Sequence, residues 1–291
     1  MLTTEISDPN AIEGGHDPEN PLPDAMPAAR AVEIFSAIQG EGANCGTRQI
    51  FVRFALCDLR CYFCDSANTW TASDNCAVEA TPGRRNFETY PNPIPLDLML
   101  DWVDRQNVPR LHDSVSITGG EPLLHAHFLR EFLPRVKRRT GLPVYLETAG
   151  HRPDRLDGVL EYCDEIGMDI KLPSVSGEER WSAHGEFLQR CVEAGVPLFL
   201  KAIVSANTTQ EDLDCLRQLV CEVDPRLALF LQPVTPLDAE LHDRNQSLRS
   251  DAYTEQLAPS PQQVLDWQYS LKRSLDDVRV IPQTHKMLGQ L

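Results

Sequence analysis

Cys57, Cys61 and Cys64 fall in one stretch, Cys57-Asp58-Leu59-Arg60-Cys61-Tyr62-Phe63-Cys64-Asp65-Ser66, with the spacing C-x3-C-x2-C. Thiolates this close together point at one shared object. Iron–sulfur clusters are usually held by four cysteine thiolates and structural zinc by four Cys or His ligands, so three cysteines leave one coordination position to be filled from elsewhere. On an iron–sulfur cluster, that position is where a small molecule can bind the metal and receive an electron. A zinc site completed by Cys45, Cys76 or a histidine is a second reading, although no fixed spacing marks a fourth ligand. Unliganded core cysteines are a third, but three of them beside Asp and Arg make a poor core.

The loop follows an apolar run at 50–56 that reads as a buried strand with Arg53 inside it. A buried guanidinium requires an anionic partner, either a ligand carboxylate or a structural Asp or Glu. Upstream, a strand at 31–38 runs into Gln39-Gly40-Glu41-Gly42, where glycines permit close backbone approach to a ligand and Gln and Glu supply an amide and a carboxylate. A hairpin turn with solvated polar residues is the plainer reading of that piece.

These residues need elements to position them. Short apolar segments at 114–118, 144–148, 166–170, 198–204, 228–231 and 278–281 read as strands. Helical spacing shows in Leu96, Met99, Leu100 and Val103, in Phe128, Leu129, Phe132, Leu133 and Val136, in Leu156, Val159, Leu160 and Cys163, and in Leu213, Leu216, Leu219 and Val220. The alternation argues for parallel β-α units with right-handed crossovers. Gly119-Gly120-Glu121-Pro122, Glu147-Thr148-Ala149-Gly150, Asp169-Ile170-Lys171 and Gln232-Pro233 all fall at the C-terminal ends of these strands. In a (β/α) barrel that edge builds the active site. Singly, the glycine turn reads as a turn and Asp169 with Lys171 as a surface ion pair; collected on one rim, they read as a site.

Composition narrows the class. The 291 residues are 42% hydrophobic, enough for a sizeable core, and the formal net charge of -16 argues against a phosphate-tracking nucleic-acid binder or an anionic membrane surface. No apolar run approaches a membrane span and the N-terminus does not read as a secretion signal, so a cytoplasmic protein is expected. Nine cysteines, an odd number with three in one loop, disfavour a disulfide framework. Residues 1–30 are acidic and Pro-rich and read as a flexible leader, 31–291 as one domain, and the stretches 70–95 and 236–259 as irregular insertions.

The C-x3-C-x2-C loop with an aromatic residue before its last cysteine, together with Gly119-Gly120-Glu121-Pro122, resembles the cluster loop and glycine turn of radical S-adenosylmethionine enzymes. The resemblance narrows to the 7-carboxy-7-deazaguanine synthase family through Phe35-Ser36-Ala37-Ile38-Gln39-Gly40-Glu41-Gly42, Cys64-Asp65-Ser66, Thr118-Gly119-Gly120-Glu121-Pro122-Leu123 and Gln283-Thr284-His285-Lys286, which together span nearly everything after Arg30. It implies an α/β fold, a partial (β/α)6 TIM-like barrel of the radical S-adenosylmethionine type.

It also implies roles. Cys57, Cys61 and Cys64 hold a [4Fe-4S] cluster, with S-adenosylmethionine on its open iron; Phe63, Asp65, Gly120, Glu121, Thr148, Asp169, Ile170 and Lys171 bind that cofactor. Ser66 stands where the family usually has threonine and offers a hydroxyl to Mg2+, a cation that prefers hard oxygen ligands. Ile38, Gln39, Gly40, Glu41, Arg53, Thr118, His285 and the carboxylate of Leu291 bind the pterin substrate. The implied reaction converts 6-carboxy-5,6,7,8-tetrahydropterin to 7-carboxy-7-deazaguanine with ring contraction and loss of ammonia, fed by a one-electron donor such as flavodoxin or ferredoxin, in a homodimer that touches neither nucleic acid nor membrane. Two rival classes are a glycyl-radical activase, which needs the cysteine loop but not Gln39, Arg53 and His285, and a zinc-stabilised binding module without catalysis.

Overall fold

The computed structural model describes residues 27–249 and 253–290. In chain order it contains β1 (Ala28–Ala29), β2 (Ala31–Ile38), β3 (Arg48–Phe54), β4 (Asn75–Glu79), β5 (Phe87–Pro91), β6 (Ile94–Pro95) and α1 (Leu96–Gln106). Next come β7 (Ser114–Gly119), α2 (Ala126–Thr140), β8 (Val144–Thr148), β9 (Glu165–Ile170), the short α3 (Pro173–Ser176), α4 (Trp181–Ala194), β10 (Leu198–Val204) and α5 (Gln210–Val223). The chain continues through β11 (Leu229–Pro233), α6 (Ala239–Ser247), α7 (Pro261–Leu271), β12 (Val278–Val280) and the single turn α8 (Thr284–Met287).

Among the described residues the main sheet has ten strands in the order β12-β11-β10-β9-β8-β7-β3-β2-β4-β5. From β3 through β7 to β12 each neighbouring pair is parallel, while β2 runs antiparallel to β3 and β5 to β4. The sheet is open, with β5 and β12 outermost, so the barrel is partial. No described helix is long and apolar enough to cross a membrane.

Alternation along the parallel strands separates two environments. Val52 and Phe54, Val115 and Ile117, Val144 and Leu146, Ile166 and Met168, Leu200 and Ala202, and Leu229 and Leu231 enter one large core with the buried faces of the helices. Each fully buried Val, Leu, Ile, Met or Phe among them contributes roughly 1.5–3 kcal/mol. The intervening residues turn to the other face. There Phe51, Tyr145, Gly167, Phe199 and Phe230 form a lower layer, and Arg53, Thr118, Glu147, Asp169, Lys201 and Gln232 an upper layer nearer the C-terminal strand ends.

Three stretches differ from the sequence expectation. The periodic segment from Leu156 to Cys163 makes no α-helix but two 3-10 turns, Pro153–Arg155 and Leu160–Tyr162, separated by Gly158 at φ 74°. Leu156 and Val159 are nevertheless fully buried, so the apolar pattern recorded packing rather than helix. The stretch 70–95 contains the β4–β5 hairpin: Cys76 and Val78 face the core, while β5 is a largely exposed edge strand whose pattern is too short and too polar to read. The polar stretch 236–259 contains α6. Of the expected leader, 1–26 lies outside the described residues; 27–30 takes part in the fold, with β1 paired to β6 and the Pro27 carbonyl accepting from the Leu96 amide at 2.9 Å.

His184 on α4 ties two strand ends together. Its Nε2 accepts from the Lys171 amide at 3.1 Å, so Nδ1 carries the proton and donates to the Gly150 carbonyl at 3.2 Å. The ring is fully buried, and burial pushes its pKa from 6.5 down to about 4. A histidine kept neutral in the fold but free to protonate when unfolded contributes stability that is complete above its unfolded pKa and lost as pH falls through the folded value. The melting temperature is therefore expected to fall between about pH 6.5 and pH 4. His184→Gln, which retains a donor and an acceptor but cannot protonate, should flatten part of that decline in thermal melts; His112, pushed to about 4 mainly by burial, accounts for a further part.

Candidate active site

A cavity of about 380 Å3 opens at the C-terminal ends of the parallel strands. One wall is the cysteine loop, with Cys57, Cys61, Phe63, Cys64, Asp65 and Ser66; another is built from the polar upper layer of the sheet. The Gln39-Gly40-Glu41 turn and the tail residues His285 and Lys286 also line it.

The cysteine loop is held by its backbone. Leu56 enters it at φ 78°, and its carbonyl accepts from the Glu121 amide at 2.8 Å, while the Gly120 amide donates to Phe54 at 3.1 Å. A Cβ on Gly120 would collide with the Leu56 carbonyl and crowd Cys57, so the turn can brace the loop only as glycine. Arg60 folds back to donate to the Cys57 and Leu59 carbonyls at 2.7 and 2.8 Å, its amide donates to Glu178 at 2.8 Å, and the Tyr62 amide donates to Ser176 at 3.2 Å. Asp58 is clamped by His151, at 2.9 Å, and Arg152. These partners outweigh the burial that would raise its pKa and hold Asp58 well below the usual carboxylate range. Asn245 on α6 donates to the Cys64 carbonyl at 2.7 Å.

Charged side chains alternate across the cavity. Lys171 lies 5.4 Å from the Phe63 ring centre and 3.0 Å from Asp169; Asp169 also meets Lys201 at 3.1 Å, and Lys201 pairs with Glu41. Gln283 donates to Glu41 at 2.7 Å and to Asp65 at 3.0 Å, and Asp65 meets Lys286 at 2.7 Å. Burial opposes the charges on Lys171, Asp169, Lys201, Glu41 and Asp65, but Asp169, Glu41 and Glu147 raise Lys201, and Lys286 with Gln283 brings Asp65 down to about 2. Glu147 is the exception. Its carboxylate accepts from Gln39 at 2.6 Å, Ser116 at 3.0 Å and Thr118 at 3.4 Å, yet burial dominates and raises its pKa.

The structure brings most of the expected site residues to this cavity, with qualifications. Arg53 lines it, but its Nε is already bonded to Glu33 at 2.6 Å, which leaves the terminal nitrogens for a ligand. Gly40 is needed for His285: a Cβ there would collide with the imidazole, and the Gly40 carbonyl accepts from the Thr284 amide at 3.0 Å. Glu121 is fully buried with its oxygens committed to the Leu123 amide at 3.0 Å, the Thr148 hydroxyl at 2.8 Å and the Ala149 amide at 3.0 Å; it does not line the cavity. Ile170 belongs to the main core and does not line the cavity. Leu291 lies outside the described residues.

Sequence reasoning missed Lys201, although a lone lysine inside the apolar run 198–204 was the same signal that marked Arg53. It also left Glu147 and Gln232, both placed on the expected rim, without a role, and missed the clamp formed by His151 and Arg152. The clamp had no signal, because its partners come together only through the fold.

Cys57, Cys61 and Cys64 all line the cavity, where they would face one shared cluster, and among the described residues no three Cys, His, Asp or Glu side chains are drawn together around a single metal ion. Burial pushes the free thiols of Cys57 and Cys64 up and that of Cys61 to about 12, so their protons are released when a metal supplies compensating positive charge. Of the fourth zinc ligands suggested by the sequence, neither cysteine lines the cavity: Cys76 is buried in β4, and the Cys45 sulfur sits 2.9 Å from the Thr284 hydroxyl, whereas one histidine, His285, does line it. Gln232 lines the cavity with a buried Oε1 that has no hydrogen-bond partner among the described residues, an acceptor left open to a ligand.

Comparison with known proteins agrees. Residues 52–214 match the model of the Radical SAM superfamily. The 7-carboxy-7-deazaguanine synthase of Geobacter sulfurreducens is 38% identical over 92% of this chain and 100% of that one. Those of Thermococcus kodakarensis and Methanothermobacter thermautotrophicus are 34% and 32% identical, over 71% and 90% of this chain and 84% and 97% of theirs. The crystal structure of QueE from Escherichia coli shares the fold, with a TM-score of 0.52 at 17% identity over 88% of this chain and 94% of that one. Similarity over nine tenths of the chain decides between a lone metal-binding loop and a whole enzyme: the chain belongs to the 7-carboxy-7-deazaguanine synthase family of the radical S-adenosylmethionine superfamily.

Proposed function

We propose that the cavity binds 6-carboxy-5,6,7,8-tetrahydropterin and that the chain converts it to 7-carboxy-7-deazaguanine with ring contraction and loss of ammonia. The observation that carries this reading is that one cavity joins the three cysteines to Gln39, Arg53, Thr118 and His285, a set for which a glycyl-radical activase has no use. The [4Fe-4S] cluster and S-adenosylmethionine of the superfamily, when bound, supply the one-electron chemistry that starts the reaction.

In this reading Cys57, Cys61 and Cys64 hold the cluster. Phe63, Asp65, Gly120, Asp169 and Lys171 face S-adenosylmethionine, with Thr148 and Glu121 fixing the turn beneath it and Ile170 contributing backbone. Arg53 offers its terminal nitrogens to the substrate carboxylate, since a planar guanidinium can engage a carboxylate through paired hydrogen bonds. Ile38, Gln39, Gly40, Thr118 and His285 present amide, hydroxyl and imidazole groups to the pterin. Glu41 stays ionised beside Lys201 and holds the turn in place. Glu147, whose pKa is raised, is the carboxyl best placed to hold a proton and release it to the departing amine. The Ser66 hydroxyl offers one hard ligand to Mg2+. A flavodoxin- or ferredoxin-type donor, a homodimer and a cytoplasmic setting carry over from the resemblance.

The direct test is anaerobic incubation of cluster-loaded protein with reductant, S-adenosylmethionine, Mg2+ and the pterin, followed by mass spectrometry. A product with the mass of 7-carboxy-7-deazaguanine supports the proposal; pterin recovered unchanged from a brown, iron-replete protein refutes it. Glu147→Gln should lower kcat about 100-fold or more while the pterin still binds, as expected for loss of a proton-transfer group; an unchanged kcat removes Glu147 from the chemistry. Gly40→Ala pushes His285 out of place and should raise KM for the pterin about tenfold or more with S-adenosylmethionine affinity unchanged, a difference of about 1.4 kcal/mol that steady-state kinetics resolves.

A further inference from the structure

Tyr145 lines the lower part of the cavity and is only 4% exposed, yet its hydroxyl makes no hydrogen bond among the described residues. The hydroxyl is not one of the fully buried atoms left without a partner, so it opens onto the cavity, where water or a ligand meets it. The surroundings offer no protein partner but do outline a ligand. The ring stacks on Phe199 with centroids 5.9 Å apart, and Phe199 meets Phe230 edge-on at 5.4 Å. Facing the hydroxyl is Gly167, where any Cβ would collide with both the Tyr145 oxygen and the Phe199 ring. The result is an aromatic floor of Tyr145 and Phe199, backed by Phe230 and carrying one donor.

Charge selects which end of a ligand can lie there. Burial, and then Glu147, Asp169, Glu165 and Glu41, push the Tyr145 pKa well above its ordinary value, so the group remains a neutral O–H. Glu41 and Asp169 at this end already occupy Lys201, so a ligand carboxylate finds free donors at Arg53 instead. A neutral heterocyclic edge suits this end: its N–H groups can donate to carboxylates, and its carbonyl or ring nitrogen needs a donor that carboxylates cannot supply.

We infer that Tyr145 is a substrate-binding residue whose hydroxyl donates to an acceptor on the heterocyclic edge of the substrate, fixing the ring at the cavity floor with its carboxylate towards Arg53. This rests on the pterin reading of the cavity.

The test uses cluster-loaded protein under anaerobic conditions and compares wild type with Tyr145→Phe, which keeps the ring and its stacking. Retention of 6-carboxy-5,6,7,8-tetrahydropterin is measured by equilibrium ultrafiltration, S-adenosylmethionine affinity in parallel, and melting temperature without ligand. The expected result is pterin affinity weakened about five- to tenfold, the loss of one hydrogen bond, with S-adenosylmethionine affinity unchanged and a melting temperature equal to or above that of wild type. A lower melting temperature, or a loss of S-adenosylmethionine affinity instead, assigns the hydroxyl to another partner and overturns the inference. Equal pterin affinity in the two proteins overturns it while leaving the substrate reading intact. Wild type that binds S-adenosylmethionine but does not retain the pterin overturns both.

Discussion

Lys201 is a full charge held in a site from which most water is excluded. Removing an ammonium from water costs several kcal/mol, and the cost is met only if opposite charges and hydrogen bonds surround it. Glu41 and Asp169 do this, and each carries a further constraint: Asp169 is shared with Lys171 beside the cysteine loop, while Glu41 is shared with Gln283 beside the tail. One buried cation therefore couples the sheet, the Gln39–Glu41 turn and the C-terminal segment. Without it two carboxylates would face each other across the cavity, and the elements that carry them would separate.

That arrangement follows from strand geometry. A parallel strand covered by helices on one face must be apolar there, and the period of two then places every other residue in the interior of the partial barrel. The same alternation that sends Leu200 and Ala202 into the core sends Phe199 and Lys201 into the cavity. Because the C-terminal end is the open end, the upper layer can afford polarity while the lower layer is filled by rings.

Much of this was legible in residue order. Apolar runs located the parallel strands, and the polar turns after them located the rim, because both signals are local. Arg53 was readable as a charge needing a partner, although the sequence could not say that Glu33 on the neighbouring antiparallel strand takes its Nε. What stayed hidden depends on contacts between distant segments. Asp58 with Arg152, Asn245 with Cys64 and Gly40 with His285 are each more than 90 positions apart, and none of these residues has a local reason to be what it is. Glu121 shows the opposite error: its place in the glycine turn suggested ligand binding, whereas the fold spends its carboxylate on orphan amides and on Thr148.

The two ends of the cavity are therefore built on different principles. Around the cysteines the position of each thiol is set by backbone groups: the Leu56 and Phe54 carbonyls against the glycine turn, Arg60 on the carbonyls of Cys57 and Leu59, and Asn245 on that of Cys64. Backbone anchoring tolerates side-chain variation around the loop as long as glycine remains at 120. At the other end the positions are set by side chains bonded to one another, from Gln39 and Glu147 to Glu41, Lys201 and Gln283. There a single substitution propagates along the chain of partners. In the proposed reading, the cysteine end is thus suited to a group that is the same throughout the superfamily, and the side-chain end to the recognition of one substrate.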